Sequence, residues 1–504
     1  MIIANTNKHV IPYWNEGVNL KLGLNQLGIR NVAEQMFAKL LPGLNNVSSR
    51  IRYYSFYCWL VNQFYDGKES IVDKDFYPYL RRAELLVALI NATKEDSLGI
   101  PGITYALNQI QKGEEKISLK NGAAFGNGTY WANPGGIFRQ YYGASLEEIG
   151  LIGTNNQSSQ LYNVCKDDGF INGKKLADIF SKSVGEDGEK FIGMLYKDDV
   201  SIDELRSLND TFNMKLLPND SQERELLQNM LLQIDGPVNS NLSFHRRNTI
   251  KYVLRYLSKA NTPLTAIDFS GHMYEEFHRG ERDLTTWGWY AYFLDDNWQF
   301  QLTSIFNYVL SILKEEKDFW TPIEVLSTKI SNEVIEEFNV NKSTLLRSVI
   351  ASCLQEKKGR KVTNAINNLL WYYKMDVDFM GKSEQHYHDI GVEVENFCDF
   401  MGRVKQSLDS PFYDYVRRLL VEDVIFRHYR VSFRKMLQTG LATQKFSIEN
   451  GNIRFIEDWP TSHTSPRIDT LRDFMIDLRL INKDGNLTEL GVELFKRMND
   501  ESNR

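Results

Sequence analysis

The sequence predicts a mainly α protein: a multi-domain helical chain with a β-hairpin and a winged-helix-like module towards its C-terminus. Three observations carry this. Apolar residues recur at helical spacing through successive segments, the 504 residues exceed one ordinary core, and Asn450-Gly451 offers hairpin turn chemistry inside KFSIENGNIRFIED. The expected division is a helical N-terminal domain over 1–155, helical central structure over 156–385, and a helical and winged-helix-like part over 386–504.

Residues 1–22 read as an extended arm in which Pro12, Tyr13 and Trp14 can dock on a neighbouring surface. Ile29, Val32, Met36, Phe37, Leu40 and Leu41 then mark a helix from Gly28 to Leu41. Pro42-Gly43 stops it, since proline lacks an amide donor and glycine tolerates the left-handed exit. Ser48 or Ser49 is the expected cap of the next helix, and Arg50 to Tyr65 holds neither proline nor glycine. Its apolar residues surround the axis, so the helix belongs inside its domain. Arg50 and Arg52 therefore need either carboxylate partners, with Glu34 and Glu84 as candidates, or a phosphate or carboxylate ligand. Tyr79 to Ala92 forms a third helix.

The glycine- and asparagine-rich stretch ending NGAAFGNGTYWANPGG, within Lys112 to Gly136, is a loop without the Gly-Lys-Ser/Thr ending of a P-loop. Helices resume at Ile137 to Ile149, Lys166 to Val184 and Ser221 to Ile234. Ser243 to Ala260 is amphipathic, and its outward Arg246 and Arg247, among other cations, are candidates for phosphate contact. Trp287, Trp289, Tyr290, Tyr292, Phe293 and Trp298 crowd one segment and favour a core or an interface over a base-stacking platform. Further helices run from Phe300 to Asn368, with a polar hinge at Gly381 to Gly391.

Pro411 opens a helical stretch towards Leu437 that carries the strongest basic patch of the chain. Arg427, Arg430 and Arg434 recur at helical spacing beside Lys435, with Tyr429 and Phe433 between them, a pattern suited to nucleic-acid backbone. After the hairpin, Thr464 or Ser465 is expected to cap a helix with Pro466 in its first turn and Ile468, Leu471, Phe474, Met475 and Leu478 on its buried side. An Asp484-Gly485 turn, a short strand through Leu487 and a Thr488-capped last helix complete a winged-helix order. Asp469, Asp473 and Asp477 would repel phosphate from the first of these helices.

A net charge of -6 argues against a basic coat, so any DNA contact is a local patch. Cys58, Cys165, Cys353 and Cys398 form no CxxC pair and fit a reducing cytoplasm, and no leader or membrane span is evident. His386 and His388 would share a face on a strand, near Asp389, Glu393 and Glu395; His272, Glu275, Glu276 and His278 form a second mixed cluster. Histidine with carboxylate can hold a transition metal, but a loop with two exposed histidines explains the first cluster equally simply and the second is not the HExxH pattern; acid pairs such as Asp295-Asp296, or Asp376 with Asp378, could seat magnesium yet are common in so charged a chain. No metal, cofactor or catalytic residue is assigned, because nucleophile-elbow, kinase, dinucleotide-binding and zinc-deaminase patterns are absent from the sequence.

Leu41-Pro42-Gly43, then Ser49-Arg50-Ile51-Arg52-Tyr53-Tyr54 with Trp59, and a second segment IFRQYYGASLEEIGLI at Ile137 to Ile152, cover the first third of the chain. They resemble an uncharacterised bacterial family found in antiphage defence islands. That resemblance implies a role in a multigene defence system beside a nuclease, helicase or ATPase partner, and it transfers no catalytic residue. The expected function is a non-enzymatic subunit that recognises DNA or a phage component and docks on an effector. The alternative is a divergent metal-dependent nuclease or hydrolase effector.

Overall fold

The computed structural model describes residues 25–66, 73–94, 97, 99–155, 158–166, 172–217, 221–232, 241–259, 263–316, 319–355 and 357–502. The expected arm at 1–22 lies outside them. The protein is mainly α, with three small antiparallel sheets among the described residues. No described helix is long and apolar enough to cross a membrane. Contacts divide the chain into two compact units, each built from distant segments. One comprises 37–275 with 465–504, the other 1–36 with 276–464.

The first unit is organised around helix Arg52–Tyr65, whose residues from Arg52 to Val61 are all buried. Aromatic rings close round it: Phe56 and Trp59 pack on Phe180 and Phe191, and Phe191 stacks on Phe212 at 4.3 Å. Such contacts between rings add to the area they bury. The helix is not capped by Ser48 or Ser49. Ile51 occupies the cap position without a side-chain bond of its own, while Ser48 Oγ donates to the Tyr141 carbonyl and the Tyr142 hydroxyl accepts from the Ser49 amide.

Pro42-Gly43 acts as expected, and the structure shows why glycine is needed. Gly43 has φ +75°, and a Cβ there would stand 2.1 Å from Ile149. Its amide donates to Glu148 and its carbonyl accepts from the Tyr54 hydroxyl, each at 2.7 Å. With Tyr53 stacked on Tyr142 at 5.0 Å, the segments Leu41 to Trp59 and Ile137 to Ile152 pack against each other.

The glycine-rich loop turns carbonyls, not amides, towards its charged partner. The buried Arg81 guanidinium donates to the carbonyls of Gly122, Ala124, Trp131 and Asn133, and so holds the loop to helix Asp73–Ala92. One turn along that helix, Glu84 accepts from the amides of Ile137 and Phe138 at 2.9 and 2.7 Å and from the Tyr57 hydroxyl. Burial pushes the Glu84 carboxyl up to about 7, and those three bonds pull it back.

The second unit is built on the 32-residue helix Leu284–Glu315, which starts at an Asp283 side chain accepting from the Thr286 amide. The aromatic cluster on it is core: Trp289, Tyr290, Tyr292 and Trp298 are buried. Its two aspartates, Asp295 and Asp296, are buried as well, and each has donors. Asp295 accepts from the Tyr387 hydroxyl and the Phe397 amide, and Asp296 from the Thr464 amide and hydroxyl. Asp376, on helix Lys361–Asp376, accepts from the Tyr290 hydroxyl at 3.0 Å.

The hairpin forms with Asn450 and Gly451 in its turn, both at positive φ as a tight turn requires, and Ile448 lies opposite Ile453. A third strand, Thr321–Pro322, pairs with Asn452–Phe455. The hairpin lies in the second unit, whereas helices Ile468–Asp477 and Glu489–Ser502 belong to the first. The pieces of the expected winged-helix order are thus shared between two units. Thr464 does not cap the helix after it, being committed to Asp296; Arg467, with φ +64°, stands at that position. Thr488 does act as a cap, accepting from the Gly491 amide.

Candidate functional site

Arg50 and Arg52 are adjacent in sequence and differ completely in setting. Arg52 is 2% exposed and closes on Glu223, with Nε and Nη2 at 3.2 and 3.3 Å from its two oxygens, while Nη1 donates to the Asn213 carbonyl at 2.7 Å. The Ser55 hydroxyl donates to the same carboxylate at 2.7 Å, so the polar line along the helix ends on Glu223. The expected partners act elsewhere: Glu34 pairs with Arg30 one turn away, and Glu84 holds the Ile137 turn. Arg52 is a structural arginine.

Arg50 instead lines a cavity of about 650 Å³. Its Nη1 donates to Asp477 at 2.8 Å, and its buried Nε has no hydrogen-bond partner among the described residues. Lys94, Lys215, Arg479 and Lys483 share the walls with Arg50, opposed by Asp473 and Asp477. Burial pushes the Asp477 carboxyl up to about 7, with the Arg50 charge pulling it down. Arg479 has φ +62°, a backbone state that disfavours any side chain. The Asp477 and Arg479 contributions were not legible in sequence, where the acids of this helix counted only as repulsion.

The basic patch on helix Arg427–Thr439 separates into two faces. Arg427 points inward, gripping Glu395 through 2.6 and 2.8 Å bonds, with its guanidinium 6.0 Å from the Trp298 ring. Lys435 Nζ donates to the Asn25 carbonyl at 2.5 Å, and desolvation lowers its pKa. Both cations therefore serve packing. Arg430 and Arg434 are exposed, Arg430 touching the Glu422 carbonyl at 3.3 Å.

With these two arginines stand exposed apolar side chains: Phe426, Tyr429, Phe433 and Leu437, the last 70% exposed. Tyr429 and Phe433 lie nearly parallel, 13° apart with centroids separated by 6.4 Å. On a helix these positions form one stripe, since residues three and four apart are neighbours. The buried side is polar at its centre. His428 Nδ1 lies 3.1 Å from the Gln26 carbonyl and its Nε2 accepts from the Lys445 amide at 3.0 Å, which defines a neutral ring protonated on Nδ1. The outward turn of Phe426 and Leu437 escaped the sequence reading; the signal for it was the polar pair His428 and Ser432 on the opposite side.

The remaining candidates are placed as follows. Arg246 is buried and donates to the carbonyls of Leu231, Met230 and Pro42, satisfying the last turn of helix Gln222–Leu232, which removes it from a phosphate-binding face. Arg247 is half-buried beside it. His386 and His388 lie on helix Met380–Asp389, not on a strand, so residues two apart diverge: His386 is buried and His388 exposed. No three His, Cys, Asp or Glu side chains among the described residues are grouped to hold a metal ion.

No family model, curated protein or solved structure matches the chain.

Proposed function

We propose that the protein is a non-enzymatic subunit of a bacterial antiphage defence complex that recognises nucleic acid through the exposed stripe from Phe426 to Leu437. The observation that carries this is the alternation of exposed Arg430 and Arg434 with the parallel rings of Tyr429 and Phe433. Single-stranded nucleic acid is bound by this combination: bases stack on aromatic rings while guanidiniums pair with the backbone phosphates. A solvated helix face would carry charges without four large apolar groups among them. The defence setting is supported by the resemblance at Leu41 to Trp59 and Ile137 to Ile152, and docking on an effector belongs to the same proposal. A cytoplasmic location is supported by the buried thiols of Cys58, Cys353 and Cys398.

The test is fluorescence polarisation with labelled single-stranded and duplex DNA of the same length, measured across a salt series. The single strand should bind more tightly, with affinity falling as salt rises. Replacing Arg430 and Arg434 by Glu should abolish that binding, and affinity unchanged by the double substitution refutes the assignment.

A further inference from the structure

The cavity beside Arg50 is unrelated to the stripe that carries the nucleic-acid reading, and its chemistry points to a different kind of ligand. We propose that it binds a phosphorylated small molecule of nucleotide size.

Size and lining agree. About 650 Å³ lies within the range of small-molecule sites. Five cationic side chains against two carboxylates leave a cationic excess suited to more than one phosphate. Leu216, Leu217 and Ile476 supply an apolar wall on which a base or other flat group can lie.

Two further features are those of a built site. The Arg50 guanidinium is held by Asp477 at one nitrogen and leaves its buried Nε unused, so a donor is oriented yet unsatisfied. Gly99 keeps the other side open for that guanidinium, because a Cβ there would come within 3.0 Å of Nη2. Arg479 occupies the left-handed position just past helix Ile468–Asp477, where glycine is the usual residue. Its side chain lines the cavity and reaches the Leu217 carbonyl at 3.3 Å. An arginine at a glycine position carries backbone strain, and strain of this kind gathers at ligand sites.

An incoming phosphate competes with Asp477 for Arg50. The raised carboxyl of Asp477 eases that exchange, since it can take up a proton near neutral pH as the anion arrives. Lys94, paired with Asp210 at the exposed rim, and Lys483 then face the outer phosphates.

The experiment is isothermal titration calorimetry on the full chain with ATP, pyrophosphate and adenosine as probes, repeated on four variants. ATP should bind saturably with one site per chain, pyrophosphate more weakly, and adenosine not measurably. Arg479→Gly and Lys483→Glu should each weaken ATP by about tenfold, the scale of one charge-assisted hydrogen bond. Asp473→Asn should strengthen it. Arg479→Gly also relieves backbone strain, so its melting temperature should be no lower than that of the parent chain, which separates lost binding from lost folding. Absence of saturable binding by both phosphate probes overturns the proposal, as does an ATP affinity unchanged from the parent chain in both Arg479→Gly and Lys483→Glu. Pyrophosphate that matches ATP overturns the nucleotide assignment. The Arg430→Glu/Arg434→Glu chain should bind ATP normally, so failure of the nucleic-acid reading and failure of this one are distinguishable.

Discussion

Asp477 accepts from the Arg50 guanidinium at 2.8 Å and from the backbone amide of Ile51 at 3.3 Å, so one carboxylate far along the chain both pairs Arg50 and occupies the N-terminus of the central helix. It does the work the sequence assigned to Ser48 or Ser49. A carboxylate suits that position because the unsatisfied amides and the helix dipole favour negative charge there. Asp477→Ala should destabilise the protein by about 2 to 4 kcal/mol, since it leaves Arg50 and the Ile51 amide without their acceptor. Chemical denaturation of the parent and the variant measures this; a change within experimental error would show that the pair is incidental.

The Arg52–Glu223 pair is more deeply buried, and breaking it from one side leaves a charge with no counterion. Glu223→Gln should cost about 3 to 5 kcal/mol, and Arg52→Met a similar amount. The double variant should lose less than the two single losses added together. A double-mutant cycle by urea unfolding checks the coupling, and additive losses would contradict it.

Stability should depend on His428 between pH 6.5 and 4. Burial pushes its imidazole down to about 4, and the Lys445 amide needs the unprotonated Nε2. The unfolded chain therefore binds a proton in this window before the folded chain does. The contribution is complete above about pH 6.5 and is lost as pH falls through 4, to a limit of about 3 kcal/mol. His428→Gln should flatten that part of the stability-pH curve, read by thermal melting in matched buffers. A variant curve parallel to that of the parent would exclude His428 as the titrating group.

Phe433 and Leu437 are exposed, so replacing either by Ala should change folding stability by less than about 0.5 kcal/mol. Phe433→Ala should still weaken single-stranded DNA by about 1 to 3 kcal/mol, the worth of one stacked base. Melting and polarisation on the same preparations separate the two effects. Full binding by Phe433→Ala would remove the ring from the interface.

Much of this fold was legible in sequence because the relevant forces are local or periodic. Apolar residues all round Arg52–Tyr65 mark a buried helix whatever packs on it, and Asn450-Gly451 adopts its positive φ values without outside help. The candidate sites were legible only in part. Helical spacing grouped Arg427, Arg430, Arg434 and Lys435, yet two of them turn inward to Glu395 and the Asn25 carbonyl. Spacing defines neighbours on a helix surface and does not say which side faces protein.

By itself the sequence determined the mainly helical class, the central aromatic helix, the Pro42-Gly43 stop and the hairpin turn, because each follows from propensity, backbone chemistry or periodicity within a few residues. Only the tertiary structure decided which distant segments share a unit, that Glu223 and Asp477 answer Arg52 and Arg50, and that Arg50 opens on a cavity. The reason is physical. A buried charge requires a partner, but the requirement can be met by any carboxylate that folding brings within reach, and separations of 171 and 427 residues leave no local trace.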